Sequence, residues 1–454
     1  SSDLEGFKRM KHPANMGLGK LLESAGYDFK RKITSGFIGF GLAPRLNAGG
    51  RMGDARRGVR LFTTRDEEEA AAIAAELEVE NSHRKETEQM ILKQVTDRIE
   101  ASDAIRNSRV MVVAGEGWHH GVIGIVSSRI KDMYYRPNIL LSVEDGVAKG
   151  SARSIEGFNL FDALCTCSDL MIKFGGHAAA AGMSLKAENV PELARRLNEY
   201  AKIHMDSQML VPIQRPELRL KPSEVTVELI ELIQRMEPFG QDMPEPLAEI
   251  SGQLSEVRKI GADGATLRMK IMDHRRSLGT VGFRRSIMAE YYSAGMDVSI
   301  AGNLDINYYM DRQYPQMILK DVKVFREEKI EKLMTYFSLR HVTDDYKKYC
   351  DSREKTDRSW CNQVFRYLRM QAKKQGSDSE GGFLMEDIPF DSMHSAEEHI
   401  FMLMQALYVF EELGLMRVET SGPYLHYEMF PGKTAKLVDS LWYRTYFVDF
   451  GAFQ

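Results

Sequence analysis

The sequence predicts an α/β domain, then a small β-barrel, then a C-terminal α+β domain, with one long helix ahead of all three. Three observations carry this. Between residues 106 and 206, apolar runs of strand length alternate with helix-length segments, the texture of an α/β domain. Between 207 and 326 the pattern changes to short β-rich segments separated by turn residues. Residues 66 to 100 contain no Pro or Gly and keep one narrow apolar stripe, as a long helix does. A 454-residue chain with 43% hydrophobic and 28% charged residues has material for about three domains.

Each element has a local reason. Thr64 with Glu67 makes a capping box, and the acidic turn Asp66 to Glu69 complements a helix dipole. Ile73 and Leu77, then Ile91, Val95 and Ile99, fall on one helix face, so the helix is a strut of roughly 50 Å rather than a core element. VMVVAG (110–115), NILLSV (138–143) and AAGMSL (180–185) read as strands. VIGIVSSRI (122–130), LFDALCTCSDLMI (160–172) and VPELARRLNEYAKIH (190–204) read as helices. Beyond Pro212 and Pro216 come five candidate strands, 247–258, 264–273, 277–284, 296–303 and 316–325, the first two joined by Gly261-Ala-Asp-Gly264. Five strands in so short a span suggest an OB-fold barrel. Past 327, residues 357–372 and 396–413 have amphipathic patterns, Gly414 stops the second, and 415–430 reads as a hairpin turning at Ser421-Gly-Pro423. Helices followed by a hairpin describe a winged-helix-like module. QGSDSEGG (375–382) is expected to be a flexible loop.

Composition excludes several classes. No apolar run reaches the ~18 residues of a membrane span, and no signal peptide is recognisable, so a cytoplasmic location is the default. Cys165, Cys167, Cys350 and Cys361 have neither disulfide-framework nor zinc-site spacing and are expected to be reduced thiols. The chain opens SSDLEGF without a methionine, as expected of a fragment or of a processed chain. The net charge of −4 hides local asymmetry: residues 1–65 carry thirteen Lys/Arg against five Asp/Glu, and residues 258–285 carry eight against two. Local basic patches on a near-neutral chain suit a polyanion site, although each patch alone is equally a solvated face. The segment 327–454 holds twenty-one acidic and sixteen basic residues, which favours a protein partner over DNA there.

Three polar clusters stand out. KFGGHAAAAGMSL (173–185) sets Gly175 and Gly176 before His177; glycines admit a ligand close to the main chain, and a turn here could offer backbone N–H groups and an imidazole to a phosphate. GSARS (150–154) alternates Ser151, Arg153 and Ser154 with small residues at a strand end, chemistry suited to phosphate oxygens. APRLNAGGRMGDA (43–55) adds Arg45, Asn47 and Arg51 around a Gly-Gly pair in an expected Gly-rich loop. Alone, each cluster is as well explained by a tight turn or a surface charge; together they indicate one anion site.

PRLNAGGRMGDA, GWHHGVIGIVSSRI (117–130), KGSARS and FGGHAAAAG, in that order, resemble the signature segments of the RecJ single-strand-specific 5′→3′ DNA exonucleases of the DHH phosphoesterase superfamily. The similarity continues through EPFGQDMPEP (237–246) to about residue 326, and more weakly into the tail. The resemblance implies five parts: the end of a DHH catalytic domain (1–60), a connector helix (61–105), a DHH-associated α/β domain (106–206), an OB-fold (207–326) and a C-terminal domain (327–454). It implies that Arg45, Asn47 and Arg51 lie near the catalytic cleft, and that Ser151, Arg153, Ser154, Gly175, Gly176 and His177 grip the scissile phosphate and its neighbours. Arg258, Lys259, Arg268, Lys270, Arg275 and Arg276 would form a single-stranded DNA track. Such enzymes bind two divalent ions, Mn²⁺ or Mg²⁺, through Asp-rich and Asp-His-His motifs. None of those motifs occurs here: Asp273-His274-Arg275 lies in a predicted barrel strand and Trp118-His119-His120 in the DHH-associated domain. The expectation is a RecJ-like chain that binds single-stranded DNA, holds no metal by itself and does not cut, with no catalytic residue of its own. The C-terminal domain would meet a single-strand-binding protein or a helicase. Two alternatives stand beside it: a non-catalytic RecJ-related adaptor, and a DHH-family phosphodiesterase acting on oligonucleotides or cyclic dinucleotides, for which a basic barrel would be superfluous.

Overall fold

The computed structural model describes residues 2–30, 32–274, 276–290, 292–324, 328–385, 395–421 and 424–448. These form two compact units, one of residues 1–212 with 234–245, the other of residues 213–233 with 246–454.

In the first unit, α1 (Met16–Ser24), α2 (Ala43–Met52) and α3 (Arg56–Thr63) pack on the first half of α4 (Glu67–Glu100). Their core joins Leu21, Leu22 and Leu61 to Ile73 and Leu77 of α4. The second half of α4 sends Ile91, Val95 and Ile99 into a separate core with Val113, Trp118, Val122 and Val126. The helix has the expected length, 34 residues, but its stripe serves two cores, so it is a core element along both halves rather than a strut apart from them. Its cap differs from the expected box: Asp66 accepts from the backbone N–H groups of Glu68 and Glu69, while Thr64 Oγ1 accepts from Asp66 N. Asp66 stands directly before the first turn and reaches two orphan N–H groups that Thr64, two residues further back, cannot.

The α/β domain runs β1 (Met111–Glu116), α5 (His120–Tyr134), β2 (Asn138–Glu144), β3 (Val147–Arg153), α6 (Leu160–Cys165), β4 (Met171–His177), β5 (Ala180–Lys186) and α7 (Val190–His204). The sheet order is β1-β2-β3-β5-β4, parallel only between β1 and β2. Two expectations are corrected. The helix proposed for 160–172 stops at Cys165, and Met171 and Ile172 begin β4. Gly175, Gly176 and His177 are not a turn but the end of β4, an edge strand paired with β5, and Ala178 and Ala179 make the reversal. A Cβ on Gly176 would collide with the Ala180 carbonyl oxygen and lie 2.6 Å from Ala181 Cα, so this glycine permits the close strand approach that the apolar pattern hides.

The second unit begins with a barrel: β6 (Leu218–Leu220), β7 (Leu247–Ile260), β8 (Thr266–Met272), β9 (Ser277–Gly282), β10 (Asp297–Tyr309) and β11 (Arg312–Val324). All five expected strands are present. The order β10-β11-β9-β8-β7 closes through antiparallel β10–β7 pairing, and β11 meets β9 in parallel, the connectivity of an OB-fold. Gly261 and Gly264 take φ of +92° and +62° in the first turn. The β10–β11 hairpin is longer than expected, turning at Met310 and Asp311 with φ of +49° and +57°.

The C-terminal domain packs α8 (Glu328–Ser338), α9 (Asp345–Asp351), α10 (Ser359–Lys374), α11 (Ala396–Glu412) and α12 (Leu441–Tyr446) with a sheet of order β12 (Glu380–Leu384), β14 (Tyr424–Met429), β13 (Met416–Ser421). The expected hairpin is present, its turn residues 422–423 lying outside the described residues. Helix α11 is not amphipathic: every residue from His399 to Leu407 is buried. A helix enclosed on all faces is the centre of its domain and has no open face to read DNA. The stretch expected to be a loop is turn and bend over 375–379 but ends in β12, where a Cβ on Gly381 would come within 2.5 Å of Tyr427 Oη and one on Gly382 closer still to Tyr424 Oη. Gln375 also brackets Gly382 with hydrogen bonds of 2.6 and 3.0 Å. No helix among the described residues is long and apolar enough to cross a membrane.

Two predictions follow from these cores. Leu77→Ala removes a fully buried side chain and is expected to cost about 2–5 kcal/mol, read as an earlier denaturant transition of the first unit; an unchanged midpoint would refute the two-core role of α4. Burial pushes the Cys350 and Cys361 thiols up to about 12 from 9.0, so both stay protonated at pH 8. Exposed Cys165 should be alkylated by iodoacetamide well before either. Because their folded values exceed the unfolded one, these thiols add stability that is full below pH 9 and is lost as pH climbs from 9 towards 12; thermal melts across that window should fall.

Candidate nucleic-acid interface

Strand alternation places the polar residues of the α/β domain. Across β3, β5 and β4 the register aligns Lys149 with Ser184 and Lys173, Ser151 with Gly182 and Gly175, and Arg153 with Ala180 and His177. Successive rows are two residues apart, so all three share one face. Small residues on the middle strand leave a trough with polar rims. Within it lies a cleft of about 530 Å³ that also reaches His120 and Phe174. A Cβ on Gly175 would meet nothing within 4 Å, so a ligand can approach the main chain there. His177 is exposed, with no hydrogen-bond or ion-pair partner among the described residues. The bare backbone expected of this motif is thus present, on an edge strand.

Arg153 donates to Ser151 Oγ and Ser128 Oγ, each at 3.1 Å, and to the Ala152 carbonyl at 2.8 Å. Gly124 of α5 permits this: its Cβ would stand 3.2 Å from Ser151 Oγ and 3.5 Å from Arg153 Nη2. Burial, and then the Arg51 charge, hold the Arg153 guanidinium below its ordinary pKa. Arg51 reaches this place because α2 and α5 touch: Arg51 Nη1 donates to the Gly121 carbonyl at 2.9 Å, and a Cβ on Gly121 would lie 2.6 Å from the Arg51 carbonyl oxygen. Neither arginine has a carboxylate partner among the described residues. Two close guanidinium groups without a counter-charge favour a bound anion.

Not every expected residue joins this site. The segment 43–52 is helix α2, not a loop. Arg45, with 11% of its side chain exposed, pairs with Glu78 and donates to the Gly41 carbonyl, so it clamps α2 to α4. Ser154 is buried and donates to the Phe158 carbonyl at 2.7 Å, which fixes a loop. Asn47 and Arg51, one helical turn apart, line a second cleft of about 470 Å³. Lys149, Lys173, Ser184 and His120 were missed, yet the spacing of Lys149 with Ser151 and Arg153, and of Lys173 with Gly175 and His177, shows them on one face once both segments are strands.

On the barrel, Arg258, Arg268 and Lys270 line a groove of about 480 Å³ with Asn307, Tyr309 and Tyr314. Glu256 sits among them, bonded to Arg258 at 2.6 Å and Lys270 at 2.5 Å; the Lys270 hydrogen bond is the main reason its carboxyl stays below the usual range. Arg268 Nε is buried without a hydrogen-bond partner. Lys259 pairs across the sheet with buried Leu267 and so points to the other face from Arg258. Arg276 lies in an exposed turn where its N–H donates to Asp273 Oδ1 at 2.9 Å, and Arg275 falls outside the described residues. The strand pattern in the sequence ends at 303 and resumes at 316, which hides the aromatics between them; Tyr308, Tyr309 and Tyr314 are 70%, 59% and 44% exposed, and basic residues interleaved with aromatic rings suit stacked bases.

Residues 107–203 match the DHHA1 domain family and residues 217–321 the RecJ OB domain family. The chain is similar to the single-stranded-DNA-specific exonuclease RecJ of Bacillus subtilis, 39% identical over 323 residues, which are 70% of this chain and 41% of the relative. To the Escherichia coli protein of the same name it is 33% identical, covering 67% of this chain and 54% of the relative. The crystal structure of Thermus thermophilus RecJ in complex with Mn²⁺ superposes with a TM-score of 0.60 at 27% identity, over 71% of this chain and 46% of that one. The chain therefore spans about half or less of these relatives.

Tyr309→Ala is expected to weaken binding of a long single strand by about 1–3 kcal/mol, and Arg268→Ala to lower the salt slope of that binding by about one, both read by fluorescence anisotropy from low to high salt. Wild-type affinity and slope in both variants would remove the barrel groove from the interface.

Proposed function

We propose that this chain, homologous to RecJ through its DHHA1 and RecJ OB domains, is the strand-holding part of a single-strand-specific 5′→3′ exonuclease. The observation that carries the reading is Arg153, hydrogen-bonded to Ser151 and Ser128 on the trough face and, like Arg51 on the Gly121 carbonyl nearby, without a carboxylate partner among the described residues. Here a strand phosphate would replace the missing counter-charge, with Lys149 and Lys173 engaging its neighbours and the exposed edge of β4 lying against the backbone. In the barrel, Arg258, Arg268 and Lys270 would follow the phosphates while Tyr309 and Tyr314 stack on bases. Phosphate contacts of this kind position a strand without reading its sequence, which suits a nuclease acting on any sequence.

Solved Thermus thermophilus RecJ structures hold Mn²⁺ or Mg²⁺, ions that activate water and stabilise a leaving oxygen. Among the described residues no three His, Cys, Asp or Glu side chains are placed to hold a metal. The described residues do not fit that ion, and none of them is assigned to hydrolysis. The chain by itself is therefore read as a binder. Its C-terminal domain, net acidic by sequence and with its central helix enclosed, is suited to a protein partner such as a single-strand-binding protein or a helicase.

The test is a nuclease assay of this chain with Mn²⁺ and 5′-phosphorylated single-stranded DNA, with binding followed in parallel. Binding without degradation is expected; degradation by contaminant-free protein would place an active site within these 454 residues. Arg153→Ala should lower affinity for a short 5′-phosphorylated strand by about 1.5–3 kcal/mol, the range for hydrogen bonds to charged groups, and erase its advantage over a 5′-hydroxyl strand. A retained preference would dismiss the phosphate assignment.

A further inference from the structure

Helix α5 has two polar neighbourhoods. His120 and Ile123 face the β3–β5–β4 trough, whereas Ile125 and Arg129 face the separate cleft of about 470 Å³ bounded by α2 and α4. That second cleft has an unusual floor. At the middle of α4, between its two apolar cores, Glu88 is 2% exposed and pairs with both Arg84, four residues earlier on α4, and Arg129 of α5. Arg84, itself buried, also donates to Asn81 Oδ1 at 3.2 and 3.4 Å. Arg51 and Lys85 stand on the walls, so four cations surround a single carboxylate. One carboxylate cannot neutralise four cations, and a buried arginine held by its neighbours offers a preorganised fork for phosphate oxygens. Above them Phe40 lines the same cleft while 89% exposed. It belongs to a π-helical turn, Ile38–Leu42, a backbone form that often marks functional positions. An uncovered aromatic ring beside a cluster of cations has the two chemistries a nucleotide requires, a stacking surface for the base and charge for the phosphate.

We propose that this cleft is a second nucleotide site, taking one nucleoside 5′-monophosphate unit with its phosphate on Arg51, Arg84 and Arg129 and its base on Phe40. Asn47 at the rim is placed to bond the sugar or base edge. The unit is either a free mononucleotide or one residue of a bound strand; the chemistry recognised is the same. Glu88 holds the guanidinium groups in place before the phosphate arrives.

The test uses the full chain carrying Arg153→Ala and Lys173→Ala, so that the β3–β5–β4 trough loses the guanidinium assigned to its phosphate. Calorimetric titration with a deoxynucleoside 5′-monophosphate should still show binding, with the unphosphorylated nucleoside at least about tenfold weaker. Adding Arg129→Ala should weaken the monophosphate about tenfold, and adding Phe40→Ala several-fold; tenfold corresponds to about 1.4 kcal/mol. Both side chains are exposed enough that folding should be unaffected, which circular dichroism checks. If the monophosphate fails to bind but both substitutions weaken an oligonucleotide to the same extent, the site stands with the strand as its source. If both variants bind monophosphate and oligonucleotide as their parent does, the proposal is overturned. Loss of 5′-phosphate discrimination in the parent reports separately on the trough.

Discussion

Helix α4 is the constraint on which the first unit depends. A single 34-residue helix carries Leu77 into one core and Ile91 into another, so any change in its straightness would shift one core against the other. Between them the helix turns polar, and Asn81, Arg84 and Glu88 form a buried joint that Arg129 of α5 meets through Glu88. Such a joint costs desolvation and is tolerated where its charges are paired. It also places Arg84 where α2 and α5 come together.

That meeting of α2 and α5 rests on missing side chains. Gly121 admits the Arg51 carbonyl and Gly124 admits Ser151 and Arg153. The result is cationic groups crowded together with few counter-charges, an arrangement that a purely structural ion network would avoid. Where pairing does occur, as with Arg45 and Glu78 or Arg57 with Glu76 and Glu80, the arginines tie helices together. Arg51 and Arg153, by contrast, have no carboxylate partner among the described residues.

The barrel and the C-terminal domain use different means. Closure of β10 on β7 leaves the long β10–β11 hairpin projecting past the pairing with β7, which carries tyrosines beside the basic strands. In the C-terminal domain, α11 is wrapped by helices and sheet, and its buried Gln405 accepts from Trp442 Nε1 at 2.6 Å and donates to Cys350 Sγ at 2.8 Å. Such satisfied polar contacts specify one packing of an otherwise apolar helix.

Local chemistry alone determined much of this. The long helix, the closing helix at 190–204 and the five barrel strands follow from periodicity and punctuation, which act over a few residues. The clusters at Ser151–Arg153 and Gly175–His177 were legible because small residues beside Arg and His are uncommon in a core. What only the tertiary structure decided is which side chains of a cluster line the cleft. Arg45 and Ser154 look like ligands in sequence, but a glutamate thirty-three positions on and a carbonyl four positions on take them out of the cleft. Lys149 and Lys173 joined it only when β3, β5 and β4 came into register. The basic residues of β7 and β8 found their tyrosines when a hairpin folded back beside them. Long-range pairing sets these relations, and no window of sequence contains it.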